Sequence, residues 1–151
     1  MALTTSDKNL IEETCKRLVW AIDRRDWKIA LDQFSKEVTI DDVELFGGNV
    51  ETIPAETIIE RWSSFLPKLK ATQHTLSNFL ISEVDEDALC YSYVDGFHFL
   101  PNDQGADYWN VKGFYTQKLR YVNGKWVIHY MKLSPIHQSG NLELLTIAQS
   151  L

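Results

Sequence analysis

The segment from Ala88 to Phe99 alternates residue by residue between two chemical sets. Cys90, Ser92, Val94, Gly96 and His98 fall on one side of an extended chain, and Tyr91, Tyr93, Asp95, Phe97 and Phe99 fall on the other. A helix would scatter both sets around its axis, so this stretch is a strand with a small-residue face and an aromatic face. Further extended runs surround it. Thr72 to Val84 precedes it across the polar turn Asp85-Glu86-Asp87. Tyr108 to Tyr121 follows, and Asn123-Gly124, the strongest short hairpin signal, leads into Lys125 to Leu133 as its antiparallel partner. A bulge at Gly96 would break the parity and re-aim Asp95 or His98.

The first half has a different period. Leu10, Ile11, Cys15, Leu18, Val19 and Ile22 recur at helical spacing after the N-cap candidates Thr4, Thr5 and Ser6, which predicts a helix over residues 7–24. Asp26 caps a short second helix with Trp27, Ala30, Leu31 and Phe34 on one stripe. Val38 to Phe46 reads as a strand ended by Gly47-Gly48-Asn49. Pro54 opens a third helix carrying Ile58, Ile59, Trp62, Phe65 and Leu66, with Pro67 at its end, and residues 141–148 suit a short helix. Helices early and long antiparallel strands late define an α+β chain. The expected architecture is one domain over residues 1–151: a cone-shaped, curved antiparallel (mixed) sheet wrapped around the N-terminal helices, with a deep pocket at one end.

Composition narrows the function. A net charge of -6 with no run of Lys and Arg disfavours nucleic acid and anionic membrane surfaces. The longest apolar runs, such as Leu18 to Ile22, are too short to span a bilayer. Met1 to Asp7 lacks a basic segment followed by an apolar stretch, so a cytoplasmic location is expected. Cys15 and Cys90 read as buried thiols. No His-x-His, Cys-x-x-Cys or His-Glu-x-x-His pattern is present, nor a phosphate-binding Gly-rich loop, so no metal and no cofactor are expected.

Three polar positions stand out. Asp23 follows Ile22 near a helix C-terminus, where the helix dipole disfavours a carboxylate, so it needs a partner. Arg24, Arg25 or water would serve, as would a site. His74 shares a strand face with Leu76 and Asn78. His98 ends the small-residue face. Each histidine is equally compatible with a structural hydrogen bond. His129 and His137 read as structural or solvated.

The order of elements, and the segment Trp20-Ala21-Ile22-Asp23-Arg24-Arg25-Asp26-Trp27 together with Gln73-His74, resembles the SnoaL-like and scytalone dehydratase-like branch of the nuclear transport factor 2-like superfamily. Gly113-Phe114-Tyr115 and Asn123-Gly124-Lys125-Trp126 resemble the paired strands that close that fold. The resemblance covers about Leu10 to Leu133. It implies that Asp23 is a catalytic aspartate, His74 the acid/base and His98 a second catalytic histidine. The family's tyrosine before the aspartate is replaced here by Ile22, and its second carbonyl-polarising tyrosine falls on Asp42, so a different substrate is implied. The resemblance implies a cofactor-free dehydratase or isomerase of a small hydrophobic, cyclic or aromatic carbonyl compound. The alternative is a non-catalytic ligand-binding or accessory subunit of the same fold. Tyr91, Tyr93, Asn78, Trp109 and Tyr115 are the expected substrate contacts, with Trp109 and Tyr115 as pocket rings. The face bearing Tyr91, Tyr93, Phe97 and Phe99 is an equal candidate for packing against a second copy in a homodimer. Trp20, Trp27, Trp62 and Trp126 are expected in the core and its rim.

Overall fold

The computed structural model describes residues 2–151. Helix α1 spans Thr5–Arg24. Its start is a reciprocal capping box: the Asp7 amide donates to Thr4 Oγ1 at 3.0 Å, and the Thr4 amide donates to Asp7 Oδ2 at 2.9 Å. Its buried stripe is Ile11, Cys15, Leu18 and Ile22, which leaves Trp20 exposed to solvent and outside the core expected for it. The helix ends at Arg25, a non-glycine residue in the left-handed region with φ 61°. Helix α2 (Trp27–Asp32) starts with the Ile29 amide on the Asp26 carboxylate, as expected of that cap.

The strands are β1 (Phe34–Asp41), β2 (Glu51–Pro54), β3 (Ala71–Val84), β4 (Asp87–Phe99), β5 (Tyr108–Val122) and β6 (Lys125–Gly140). They form one sheet in the order β2-β1-β6-β5-β4-β3. Only β1 and β6 pair in parallel; the other neighbours are antiparallel. Helix α3 (Val43–Phe46) is a single turn between β1 and β2, α4 (Ala55–Phe65) runs into a 3-10 turn at Leu66–Lys68, and α5 (Leu144–Gln149) ends the chain. Register shifts in β3, β5 and β6 bend the long strands, so the sheet curves around the helices without closing. The core lies between the concave face and α1, where Leu18, Leu119, Ile128 and Val38 are fully buried.

Several boundaries differ from expectation. The run Val38 to Phe46 is not one strand: β1 begins earlier, at Phe34, and stops at Asp41, where the Val43 amide turns onto Asp41 Oδ1 and starts α3. Strand β2 leaves little signal because its four residues lie at the sheet edge. Strand β6 continues past Leu133 to Gly140. Pro135 fits because the register shifts there, so its missing N–H is not needed in the ladder. Gly113 makes that shift possible: a Cβ on it would lie 2.3 Å from the Ser134 carbonyl oxygen. Strand β4, by contrast, pairs without interruption through Gly96 on both sides, so no bulge forms there and the expected parity holds.

Candidate active site

The C-terminal end of α1 meets the start of β3, and this junction builds the site. Asp23 accepts three hydrogen bonds from β3. The Thr72 hydroxyl donates to Oδ1 at 2.9 Å, the His74 amide donates to Oδ2 at 2.7 Å, and His74 Nδ1 lies 2.8 Å from Oδ1. These bonds answer the unfavourable helix-end position of the carboxylate. A carboxylate can only accept, so Nδ1 carries the proton in this pair. Nε2 of His74 bonds to no protein group among the described residues, and His74 lines a cavity.

Arg25, a candidate partner of Asp23, acts one step removed. Its guanidinium donates to Thr72 Oγ1 at 2.9 Å, to the Ile22 carbonyl at 3.1 Å and to the Leu66 carbonyl at 3.0 Å. Because the guanidinium can only donate, the Thr72 hydroxyl must point its own hydrogen at Asp23.

His98 is on the neighbouring strand. Its ring meets His74 edge to face, with centroids 5.6 Å apart, and its Nδ1 faces the Trp109 carbonyl at 3.2 Å. The two imidazoles meet over Gly96, whose absent Cβ would lie 3.4 Å from both His74 Cδ2 and His98 Cε1. Burial, with the nearby His74 adding to it, pushes the His98 imidazole down to about 4. It is therefore neutral near pH 7, with Nδ1–H donated to the carbonyl and Nε2 left as an acceptor. Trp109 packs on it at 4.5 Å between centroids, its own indole N–H bonded to Gln138.

The cavity measures about 230 Å³ and is walled mainly by apolar groups, among them Ile22, Phe46, Trp62, Met131 and Leu133. Its polar lining is His74, His98, Tyr115 and Asp42. The Tyr115 hydroxyl makes no hydrogen bond among the described residues. Burial, then the charges of Asp42 and Asp23, push its ionisation up, so it stays a donor. Of these groups, Asp42 was noticed in the sequence only as a departure from the resembled pattern. The Asp41-Asp42 pair before a turn was the available signal.

The structure thus brings Asp23 and His74 into contact, sets His98 beside them, and places Trp109 and Tyr115 in the cavity wall. It does not bring the other expected contacts there. Tyr91 and Tyr93 are 42% and 59% exposed on the convex face, because β4 keeps its parity and points them away from the cavity. Asn78 is exposed at the β3 bulge between Ser77 and Leu80, with φ 55°, far along the strand from His74. His129 pairs with Asp87 at 2.9 Å, away from the cavity. Among the described residues no group of three His, Cys, Asp or Glu is placed to hold a metal ion, and no helix is long and apolar enough to cross a membrane.

A curved open sheet over a long helix, with polar groups gathered at the helix end, defines the α+β cone class. The SnoaL-like domain family matches residues 4–132, and the chain belongs to that family. Similar solved structures share the fold. The Kfla4162 protein of Kribbella flavida superposes with a TM-score of 0.88 at 22% identity, covering 93% of this chain and 97% of that one. A protein of Novosphingobium aromaticivorans assigned provisionally as a scytalone dehydratase gives 0.75 at 17% identity, over 90% and 88%. The type 3 hexachlorocyclohexane dehydrochlorinase of Novosphingobium barchaimii gives 0.72 at 11% identity, over 90% of each chain. Likeness at these identities shows the fold alone. No curated protein matches the chain.

Proposed function

We propose that the protein catalyses acid–base chemistry without a cofactor on a small cyclic or aromatic carbonyl compound, as a dehydratase or isomerase. The observation that carries this is the His74–Asp23 pair: Nδ1 is held on the carboxylate at 2.8 Å, and Nε2 is left without a protein partner on an imidazole that lines an apolar cavity. This is how a neutral imidazole is prepared as a base.

In this reading His74 Nε2 removes a proton from the carbon next to the substrate carbonyl. Asp23 stabilises the imidazolium that forms, and the Tyr115 hydroxyl donates to the oxygen on which charge develops. The imidazolium then returns its proton. Delivered to a hydroxyl on the adjacent carbon, it releases water and leaves a double bond; delivered to another carbon, it completes an isomerisation. Neutral His98 accepts a hydrogen bond from a substrate or leaving-group hydroxyl through Nε2. Apolar walls exclude bulk water and hold a flat ring. The two similar proteins named for dehydration and dehydrochlorination support elimination as the reaction type. In the alternative, a non-catalytic ligand-binding or accessory subunit, Nε2 serves only as a hydrogen-bond acceptor and the ligand leaves unchanged.

The test is a panel of small cyclic β-hydroxyketones followed by NMR in D2O. Wild type is expected to exchange the proton next to the carbonyl or to release water, and His74→Phe and Asp23→Asn are expected to lose both activities. Panel members that bind without exchange or elimination would overturn the reading. We also propose that the convex face of β4 packs against a second copy, since Tyr91, Tyr93 and Phe97 are exposed there, with the Asp95–Lys112 ion pair between Tyr93 and Phe97. Light scattering checks this: Tyr93→Lys should convert a dimer into a monomer, and a monomeric wild type would refute it.

A further inference from the structure

We infer that Asp42 selects the substrate: its carboxylate accepts a hydrogen bond from a hydroxyl on the end of the ligand remote from His74 and His98. The inference rests on the reading that the cavity receives the substrate.

Asp42 follows β1, and His98 lies on β4, three places away in the sheet order. The register adds an offset along the strands: Asp41 pairs with Lys132, Lys132 with Thr116 and Thr116 with Tyr91, which sets Asp42 level with Ser92 and leaves His98 well along β4 from it. Both residues nevertheless line the same cavity. Asp42 and the histidines thus meet the cavity at separated points, and Tyr115, on β5, is level with Asp42. That Tyr115 feels the charges of both Asp42 and Asp23 fits this placement.

The Asp42 side chain has a local use that it does not take. It stands at the N-cap of α3, where an aspartate ordinarily accepts from the second or third amide of the turn. No such bond forms, and Asp41 accepts from the Val43 amide instead, at 3.3 Å. Among the described residues the Asp42 carboxyl has no hydrogen bond and no ion pair. On its cavity side the wall is Leu45, Phe46, Trp62 and Met131, and on its other side it borders an outer hollow with Asn49, Glu51 and Arg61. The carboxyl is half-buried and unpaired, which is unfavourable on the apolar side.

Burial and then the Asp41 charge push this carboxyl up to about 6. At neutral pH it is therefore mostly ionised and can only accept. The missing partner is a donor. A hydroxyl fits better than a second carboxylate, which would be repelled. The cavity, at about 230 Å³, suits a ligand of one or two rings.

The full chain is titrated near pH 7.5 with 2-naphthol and with 2-methoxynaphthalene, its methyl ether, by calorimetry. Wild type should bind the phenol about tenfold more tightly, the value of one good hydrogen bond. Asp42→Leu should bind both alike. Asp42→Asn, nearly isosteric and a safeguard against misfolding, should keep only a preference of about two- to threefold, because its oxygen still accepts without charge. Equal affinities in wild type, or an undiminished preference in both variants, would overturn the role of Asp42 and leave the His74 chemistry standing. Failure of wild type to bind either probe would overturn both.

Discussion

Arg25 holds Thr72 by a 2.9 Å hydrogen bond, and through that hydroxyl it reaches Asp23. The charge relation between the helix end and the Asp23 carboxylate is therefore indirect, and it has a conformational cost. Arg25 adopts φ 61°, a region disfavoured for any residue with a Cβ. Three hydrogen bonds to Thr72, Ile22 and Leu66 offset that cost and tie α1 to the end of α4 and to β3.

Arg25→Ala should be destabilised by about 2 kcal/mol, since it keeps the strain and loses the bonds. Arg25→Gly should recover about 1 kcal/mol of that loss, because glycine accepts the left-handed conformation. Urea unfolding of the two variants measures the difference. Equal stabilities would show that the backbone at residue 25 is not strained.

Asp23→Asn is expected to fold with its helix intact and to lower turnover by about 10²–10⁴-fold. The amide can present N–H to His74 Nδ1, which moves the imidazole proton to Nε2 and removes the lone pair from the cavity side. Long-range ¹H–¹⁵N NMR on the histidine rings reports the tautomer without any substrate. An unchanged His74 tautomer would contradict the assigned role.

Gly96→Ala places a methyl group 3.4 Å from both imidazoles. The backbone has no need of glycine there, since β4 pairs regularly through it. The expected result is a small stability loss, at most about 1 kcal/mol, with the His74 and His98 rings displaced only slightly. Thermal melting combined with the NMR shifts of both rings separates the two effects.

The depressed His98 imidazole makes stability depend on pH. Between about 4 and 6.5 the unfolded chain binds a proton that folded His98 does not, so stability rises with pH through that window and falls as acid is added. Asp42 works in the opposite direction. Its folded carboxyl titrates near 6 against 3.8 unfolded, so the folded state holds the extra proton and gains stability as pH falls through that range. His129, also pushed down by burial, adds to the His98 slope, so wild type should gain stability as pH rises. Asp42→Asn should steepen that slope, and His98→Gln should reduce it. Denaturant midpoints from pH 4 to 7 give the slopes, and three identical profiles would refute both assignments.

Much of this was legible in the residues. Strict alternation from Cys90 to Phe99 separated the two faces of β4 correctly, because parity needs only an unbroken ladder, but it left open which face turns inward. Thr4, Asp26 and Asn123-Gly124 marked their caps and turn, each through a local backbone requirement; the two turn residues indeed have φ of 51° and 83°. The resemblance marked Asp23, His74 and His98, and the fold set them side by side. What escaped was set by distant partners. Nothing near Pro135 in the sequence says that Gly113 lets the β6 backbone close on it, and so β6 reads as ending early. Phe34 fitted the helical stripe until its parallel pairing with Ile128 drew it into β1. Asn78 shared a face with His74 only until the bulge after Ser77 broke that parity. Tyr91 and Tyr93 share one face of their strand as expected, but that face does not meet the cavity, because where α1 packs decides which face turns inward.

Strand β4 writes two independent texts on one stretch of backbone. Even-numbered positions from Cys90 to His98 face the interior, where Val94, Gly96 and His98 line the cavity, and odd-numbered positions from Tyr91 to Phe99 face the outside. A substitution at either parity leaves the other surface almost untouched. Within this one strand, the inner lining and the outer face can therefore change independently of each other. That separability gives such a sheet an unusual capacity for functional drift.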